Sequence, residues 1–491
     1  MSPRSLAVLL IALLAGCAVG PGFHPEPVVP AATRVGAGSR SDSARAFYDS
    51  LAAARAADSV QPAVPLPARS IATDSLADVA WLDILHDSTL TRLVETALRQ
   101  NRDLALAEAR IREYRALAGV ARGPLFPNVA LNGSASTNQV AFGPPPPIAY
   151  KAWRATADAS WELDFWGRIR RGVQAAGADL AAQQAAEQAA ALSLVSDVAS
   201  GYLQLLELDQ ERAIAERTLA SRRATLDLAQ QRYARGVISE LDVRQFEAQV
   251  AVPAVRLAQV EQLRAVQEHA LNVLLGEAPS TIQRATSLAG AARAVIAPDS
   301  LPATLLARRP DVRQAERDYA AATARIGVAV AARLPTIMIT GSYGSQASDA
   351  GSLFTSQTNV YQLQAGVSVP LFTGGRLVNA ARAARARAEQ AGARYEQTAL
   401  TALREAGDAL AGVRATRDQV AAQETQARAL RRALELADMR YQTGVANYLE
   451  VLDAQRSLFD AELALSQAQL SQLTSAVRLY KALGGSWTAA R

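Results

Sequence analysis

Two pairs of short stretches in this chain alternate between apolar and polar residues, and the much longer stretches that follow them do not. Val129, Leu131, Gly133 and Ala135 fall on one face, with Asn132, Ser134, Ser136 and Asn138 on the other. That period of two is what a strand with one apolar and one polar side requires. The return stretch does the same, setting Ala155, Ala157, Ala159, Trp161 and Leu163 against Arg154, Thr156, Asp158, Ser160, Glu162 and Asp164. A second pair follows, with Ile337, Ile339, Gly341 and Tyr343 on one apolar face. Tyr361, Leu363, Ala365, Val367 and Val369 form another, against Gln362, Gln364 and Ser368. Regions 139–150, carrying Pro144 to Pro147, and 347–358 join each pair into a hairpin.

A helix of about 20 residues precedes each hairpin (102–121 and 311–332), ending near Pro124 and Pro127 or before Pro335. A glycine-containing turn follows each hairpin, Trp166-Gly167-Arg168 or Thr373-Gly374-Gly375-Arg376, and leads into about 65 residues of Ala, Leu, Gln, Arg and Glu without proline. At about 1.5 Å per residue such a helix runs close to 100 Å, beyond any globular core. It stops at Tyr233-Ala234-Arg235-Gly236-Val237 or Tyr441-Gln442-Thr443-Gly444-Val445, where glycine can supply a left-handed turn. A second helix runs back to Gly276 or Gly484, and Pro253 is expected to interrupt it in the first case only.

The parallel between the halves is a duplication. Under one constant offset of 208, Asp103 and Glu108 fall on Asp311 and Glu316, Pro127 on Pro335, and Gly133-Ser134 on Gly341-Ser342. Gly167-Arg168 fall on Gly375-Arg376, Arg232-Tyr233 on Arg440-Tyr441, Gly236-Val237 on Gly444-Val445, and Leu275-Gly276 on Leu483-Gly484. The expected organisation is a leader at 1–16, an extended segment at 17–82, repeat one at 83–276, a linker at 277–290, repeat two at 291–484 and a tail at 485–491.

Composition narrows the class. Half of the 491 residues are hydrophobic, and 51 basic against 46 acidic residues leave a net charge of +5. The two signs interleave along the helices, as in Arg382, Arg385, Arg387 and Glu389, which reads as solvated helix faces and not as a nucleic-acid surface. The N-terminus places Arg4 before the apolar run Leu6 to Leu14 and then Leu14-Ala15-Gly16-Cys17, which resembles a bacterial lipobox. That resemblance implies cleavage before Cys17 and a covalent lipid on it. Ala18 in place of Asp beside it favours sorting to the outer membrane. Cys17 is the only cysteine, so no disulfide can form within the chain. The leader is too short to span a bilayer, and no later segment offers about 20 consecutive apolar residues. His24, His86 and His269 lie far apart without a ligand pattern, and the glycine pairs lack the lysine of a phosphate loop. No metal, cofactor or enzymatic chemistry is expected.

Amphipathic strands of about ten residues suit a transmembrane barrel, lipid outside and water inside. A sheet packed on a soluble core uses the same alternation, but Arg154, Asp158, Glu162 and Asp164 on the polar face and the lipobox favour the membrane. Spanning barrels begin at about eight strands, so four strands per chain require assembly; three chains give twelve and a water-filled lumen. The expected fold is α+β: a trimeric twelve-stranded β-barrel continued by a long α-helical barrel and built from two tandem repeats.

The chain resembles the TolC-like outer-membrane efflux proteins, in particular the lipoprotein branch serving resistance-nodulation-division pumps. The resemblance covers nearly the whole chain after the leader. It is carried by Asn101-Arg102-Asp103-Leu104, Trp161-Glu162-Leu163-Asp164-Phe165-Trp166-Gly167-Arg168, Arg308-Arg309-Pro310-Asp311-Val312, Asp453-Ala454-Gln455-Arg456-Ser457-Leu458 and Leu479-Tyr480-Lys481-Ala482-Leu483-Gly484-Gly485. It implies a homotrimer anchored in the outer membrane that passively conducts small molecules, with a periplasmic tunnel whose tips meet an adaptor protein and an inner-membrane pump. It also implies a periplasmic gate at Tyr441, Leu449 and Asp453, and adaptor contacts at Gly236, Val237, Gly444 and Val445. Copy one carries Gln245 where copy two carries Asp453, so a carboxylate ring would be threefold. The alternatives are a protein-secretion channel and a lipid-anchored periplasmic coiled-coil scaffold.

Overall fold

The computed structural model describes residues 18–24, 34–36, 87–140, 148–288, 300–302, 308–443, 445 and 448–485. The element order is β1 (Arg34–Gly36), α1 (Ser88–Gln100), α2 (Arg102–Arg122), β2 (Asn128–Val140), β3 (Ile148–Leu163), α3 (Arg168–Ala234) and α4 (Glu240–Leu275). There follow β4 (Ser300–Pro302), α5 (Pro310–Ala331), β5 (Thr336–Ala347), β6 (Asn359–Ser368), α6 (Arg376–Gln442) and α7 (Tyr448–Ala482). The two long helices α3 and α6 are each 67 residues and begin and end 208 residues apart, the offset of the sequence repeat.

The chain divides into two compact units. One, built on Glu108–Ala186 and Arg313–Thr398, holds a four-stranded antiparallel sheet in the order β2-β3-β5-β6. Its register sets Ala130, Asp158, Ser342 and Gln362 in one row and Leu131, Ala157, Tyr343 and Tyr361 in the next. In these central rows even-numbered residues therefore form a polar face and odd-numbered residues an apolar one, as the alternation requires; toward the hairpin loops the pattern lapses, with Thr137, Lys151, Ser345 and Asn359 on the odd-numbered side. The two sequence hairpins are neighbours through β3 and β5.

The other unit carries the main apolar core, in which Leu90, Leu93, Val94 and Ala97 of α1 meet Leu203 and Leu206 of α3, Leu271 of α4 and Leu473 of α7. Helix α1 was not foreseen, although its apolar positions follow the helical spacing. Asp87 caps it, accepting from the Thr89 and Leu90 amides at 2.8 and 3.1 Å, and its second oxygen accepts from the Tyr202 hydroxyl at 2.9 Å. One stretch of α3 is long and apolar enough to cross a membrane by length and composition, but its Leu192 to Leu206 face is part of this core. Within the same unit β1 pairs with β4. Ile282 and Leu288, from the expected linker, are buried in the core.

The duplication extends to single hydrogen bonds. Asn101 and Arg309 occupy equivalent positions, and each captures the equivalent carbonyl at the end of its copy: Asn101 Nδ2 donates to Leu274 O at 2.9 Å, and Arg309 Nη1 to Ala482 O at 3.1 Å. Asn101 also caps α2 by accepting from the Asp103 and Leu104 amides. The buried Arg309 is neutralised by Asp311 at 2.7 Å and Glu405 at 2.6 Å.

The expected interruption at Pro253 does not occur, because α4 runs through it without a break. Proline lacks the N–H that would reach back four residues to Gln249 O. That freed carbonyl instead accepts from Arg222 Nη1 of α3 at 2.7 Å. Pro253→Ala, which restores the amide, is therefore expected to be more favourable in an Arg222→Met background than in the wild type, by about 1–2 kcal/mol. A double-mutant cycle of thermal unfolding measures this, and additive effects would refute it.

Candidate functional site

The strand faces are the first candidate surface. On the polar face, Asn132 Nδ2 donates to Asp158 Oδ2 at 2.6 Å, the Thr156 hydroxyl donates to the same oxygen at 3.2 Å, and Arg154 Nη2 to Ser342 Oγ at 3.3 Å. Asn132, Arg154, Asp158 and Ser342, with Gln362 and Gln364, line a hollow of about 440 Å³. The other face leaves Leu131, Tyr361 and Leu363 at least 80% exposed, an apolar surface that water would not tolerate uncovered. Among the described residues, β2 and β6 each pair on one side only, so the sheet offers two open edges.

The turn from β3 into α3 explains the long tryptophan motif. Glu162 receives a two-pronged bond from Arg168, at 3.0 Å from Nε and 2.6 Å from Nη2. Asp164 caps α3 by accepting from the Ile169 and Arg170 amides at 2.9 and 2.8 Å, which satisfies donors left free at a helix start. Trp166 Nε1 donates to Pro335 O at 2.8 Å and Trp161 Nε1 to Leu125 O at 3.1 Å. The segment that follows Cys17 is seated here: Val19 N donates to Trp166 O at 3.0 Å, Arg171 Nη2 to Gly20 O at 3.1 Å, and Phe23 stands edge-on to Tyr319. Cys17 itself lies outside the described residues.

The second candidate is the pair of helix reversals in the other unit. Gly236 adopts φ +75° and its amide donates to Tyr233 O at 2.8 Å, while the Val237 amide donates to Arg232 O at 2.9 Å. A left-handed residue ending a helix in this way strongly favours glycine. In copy two the Val445 amide makes the matching bond to Arg440 O at 2.9 Å; Gly444 lies outside the described residues. Val237, Leu241, Val445 and Leu449 are all more than half exposed, so both reversals present apolar side chains.

Of the expected gate residues, Leu449 and Asp453 lie four apart on one exposed face of α7, and Asp453 accepts from Arg456 Nη2 at 2.8 Å. Tyr441 is half-buried and is held from copy one: Arg232 Nη1 donates to its hydroxyl oxygen at 2.6 Å, with the guanidinium 5.0 Å from the ring centre. Tyr441 in turn stands 5.5 Å from Tyr448, which stacks 3.8 Å from Phe246 of α4. Burial, and then the neighbouring Tyr441, push the Tyr448 hydroxyl above its ordinary range, so it stays neutral. Arg222 lies 5.5 Å over the Phe459 ring, and burial lowers its pKa. Sequence reasoning missed Arg232 and Tyr448 as neighbours of Tyr441, and Phe246 behind Tyr448. The repeated Arg-Tyr dipeptide before each reversal was the one available signal.

Residues 93–277 and 301–485 each match the family described as Outer membrane efflux protein. The probable efflux pump outer membrane protein TtgC of Pseudomonas putida is 34% identical over 421 residues, 84% of this chain and 86% of that protein. The solvent efflux pump outer membrane protein SrpC of the same species is 36% identical over 457 residues, 88% and 95%. Among solved structures, the outer-membrane channel OprN superposes with a TM-score of 0.79 at 32% identity, covering 83% of this chain and 92% of that one. The open-state MtrE channel of Neisseria gonorrhoeae superposes at 0.79 and 28% identity, covering 96% and 98%.

Proposed function

The chain belongs to the outer membrane efflux protein family, and from that premise, which makes it an outer-membrane channel protein of a tripartite efflux system, we propose that three copies close one twelve-stranded barrel. The observation that carries this is the sheet: four strands with a continuous polar face, an exposed apolar face, and edges at β2 and β6 that pair on one side only. An open edge in lipid leaves backbone groups unsatisfied, and closure through further copies removes it. The polar faces then line a wet lumen and the apolar faces meet lipid. The long helices of the three chains continue it as a periplasmic tunnel. The channel is a conduit without chemistry of its own. The pump side supplies the energy, and selection among substrates rests there.

Cys17 carries the lipid anchor in this reading, supported by the seating of Val19 and Gly20 beside the β3–α3 turn, next to the strands that would meet the membrane. The tips at Gly236, Val237, Gly444 and Val445 contact the adaptor, supported by the exposed valines. Tyr441, Leu449 and Asp453 form the gate. Three leucines can exclude water from a narrow pore, and three carboxylates select against anions.

Purified protein reconstituted in planar bilayers is expected to give discrete, cation-preferring current steps. Asp453→Asn should lower the cation-to-anion permeability ratio, read as a shift in reversal potential under a salt gradient. It should not reduce stability, since an exposed pair such as Asp453–Arg456 contributes about 0–1 kcal/mol. Folded trimers without conductance would sink the channel reading.

A further inference from the structure

The two copies differ in charge where their long helices begin. At the start of α3 each arginine is engaged: Arg168 with Glu162, Arg170 with Asp164, and Arg171 Nη2 with Gly20 O at 3.1 Å. The strap that follows Cys17 is seated on the same surface, where a Cβ on Gly167 would come within 2.9 Å of Ala18.

The offset of 208 puts Pro370 in the place of Glu162 and Phe372 in the place of Asp164. Arg376, the counterpart of Arg168, therefore loses both acids. Helix α6 continues with Arg382, Arg385 and Arg387 before its first acid, Glu389, where copy one has Gln174 and Gly177 in place of Arg382 and Arg385. Among the described residues Arg376, Arg382 and Arg385 form no ion pair, and all three are exposed. Nothing described takes the place of the strap here, and a Cβ on Gly374 would meet nothing within 4 Å.

Val378, Arg382 and Arg385 follow the helical spacing and share one face of α6, apart from the Ala384 and Ala388 face that packs against α5. Above them Leu371 and Phe372 are more than 90% exposed and continue the exposed apolar run of Val367 and Val369. At about 1.5 Å per residue, Arg382 and Arg385 lie about 10 and 15 Å along the helix from Gly375. A headgroup layer reaches about 5–8 Å beyond the hydrocarbon, and charges act over a further Debye length of about 8 Å. Helical side chains also lean toward the N-terminus, which here is the sheet end.

Resting on the reading that the apolar sheet face meets lipid, we propose that the stripe of Arg376, Arg382 and Arg385 binds the phosphate groups of anionic phospholipid in the periplasmic leaflet of the outer membrane. The guanidinium fork matches phosphate, while the arginine stems and Val378 lie along the acyl boundary. A single acyl chain gives only marginal membrane attachment, and a basic patch supplies a second signal. Copy one brings the lipid through Cys17 and copy two the charge, so both halves of the chain are tied to one leaflet.

The full chain with p-benzoylphenylalanine in place of Val378, irradiated in vesicles of equal parts phosphatidylethanolamine and phosphatidylglycerol, is expected to give a phospholipid adduct by mass. Phosphatidylglycerol should be enriched in it about 5- to 25-fold, from one or two arginines at about fivefold each. Arg382→Gln/Arg385→Gln in the same background should return the adduct toward the vesicle composition, and raised salt should do likewise. The same probe in place of Leu363, in the middle of the apolar sheet face, should give lipid adducts without headgroup preference. Lipid adducts at 363 together with none at 378, a protein adduct at 378, or a 378 adduct whose composition the double variant leaves unchanged would overturn the headgroup site and leave the barrel standing. No lipid adduct at 363 would overturn the barrel reading, and the headgroup site with it.

Discussion

Resting conductance through reconstituted channels is expected to rise steeply when Tyr441 is replaced by Phe. The phenol oxygen accepts a bond from Arg232 Nη1 at 2.6 Å, tying the last turn of α6 to the last turn of α3 and so copy two to copy one at the helix reversals. A hydrogen bond to a charged donor contributes about 1.5–3 kcal/mol. If the tie holds the closed arrangement, its loss shifts the closed-to-open ratio by about 10- to 150-fold. The ring remains, so the contact with Tyr448 at 5.5 Å and the Phe246 stack beyond it survive, and the variant tests the oxygen alone. Leu449→Ala with Asp453→Ala acts differently, enlarging the aperture without touching the tie, and should raise conductance further when combined with Tyr441→Phe. Resting conductance equal to wild type in all three variants would remove these residues from the gate.

The duplication was legible because it is written in rigid positions. Turn glycines, helix-start arginines and strand-end prolines tolerate few substitutes, and they keep one offset across the chain. The strand faces were legible for a similar reason, since a period of two leaves every residue on one side or the other. What escaped were features without a repeat or without a local signal. Helix α1 has its Leu90, Leu93, Val94 and Ala97 stripe in plain view, but its counterpart positions carry Pro298 and Pro302, so comparison of the copies does not reveal it. Pro253 reads as a break by every local rule and is accommodated by Arg222, a side chain 31 positions away on another helix. The Arg232–Tyr441 tie joins residues 209 apart, where the sequence shows two attractive dipeptides and no reason to pair one with the other. Asp453 was legible as a charge, and so was Arg456 three residues later; their pairing follows from helical spacing alone.

A second large effect is expected from pH, and its origin is a pair of buried carboxylates that one cation serves. Glu207 and Glu211 lie four apart on α3, both nearly fully buried. From α4, Arg256 Nη2 binds Glu211; from α3 itself, Gln204 Nε2 donates to Glu207 Oε2 at 3.1 Å; and α7 brings the buried Ser466. The other oxygen of Glu207 has no partner among the described residues. Two like charges in a dry site with a single arginine favour holding one proton. Burial first, and then the charge of Glu211, push Glu207 from 4.5 up to about 8. A carboxyl whose pKa is raised by folding contributes its stability fully below the unfolded value, and that contribution is lost as pH rises through the folded value. The wild type should therefore lose thermal stability between about pH 5 and pH 8, with a slope of up to about 1.4 kcal/mol per pH unit from this one group. Glu207→Gln keeps the shape, remains neutral at every pH and should flatten that slope. Melting curves of the two proteins in one detergent across this range separate the effect from every other titrating group, and parallel curves would show that Glu207 is already ionised in the folded chain.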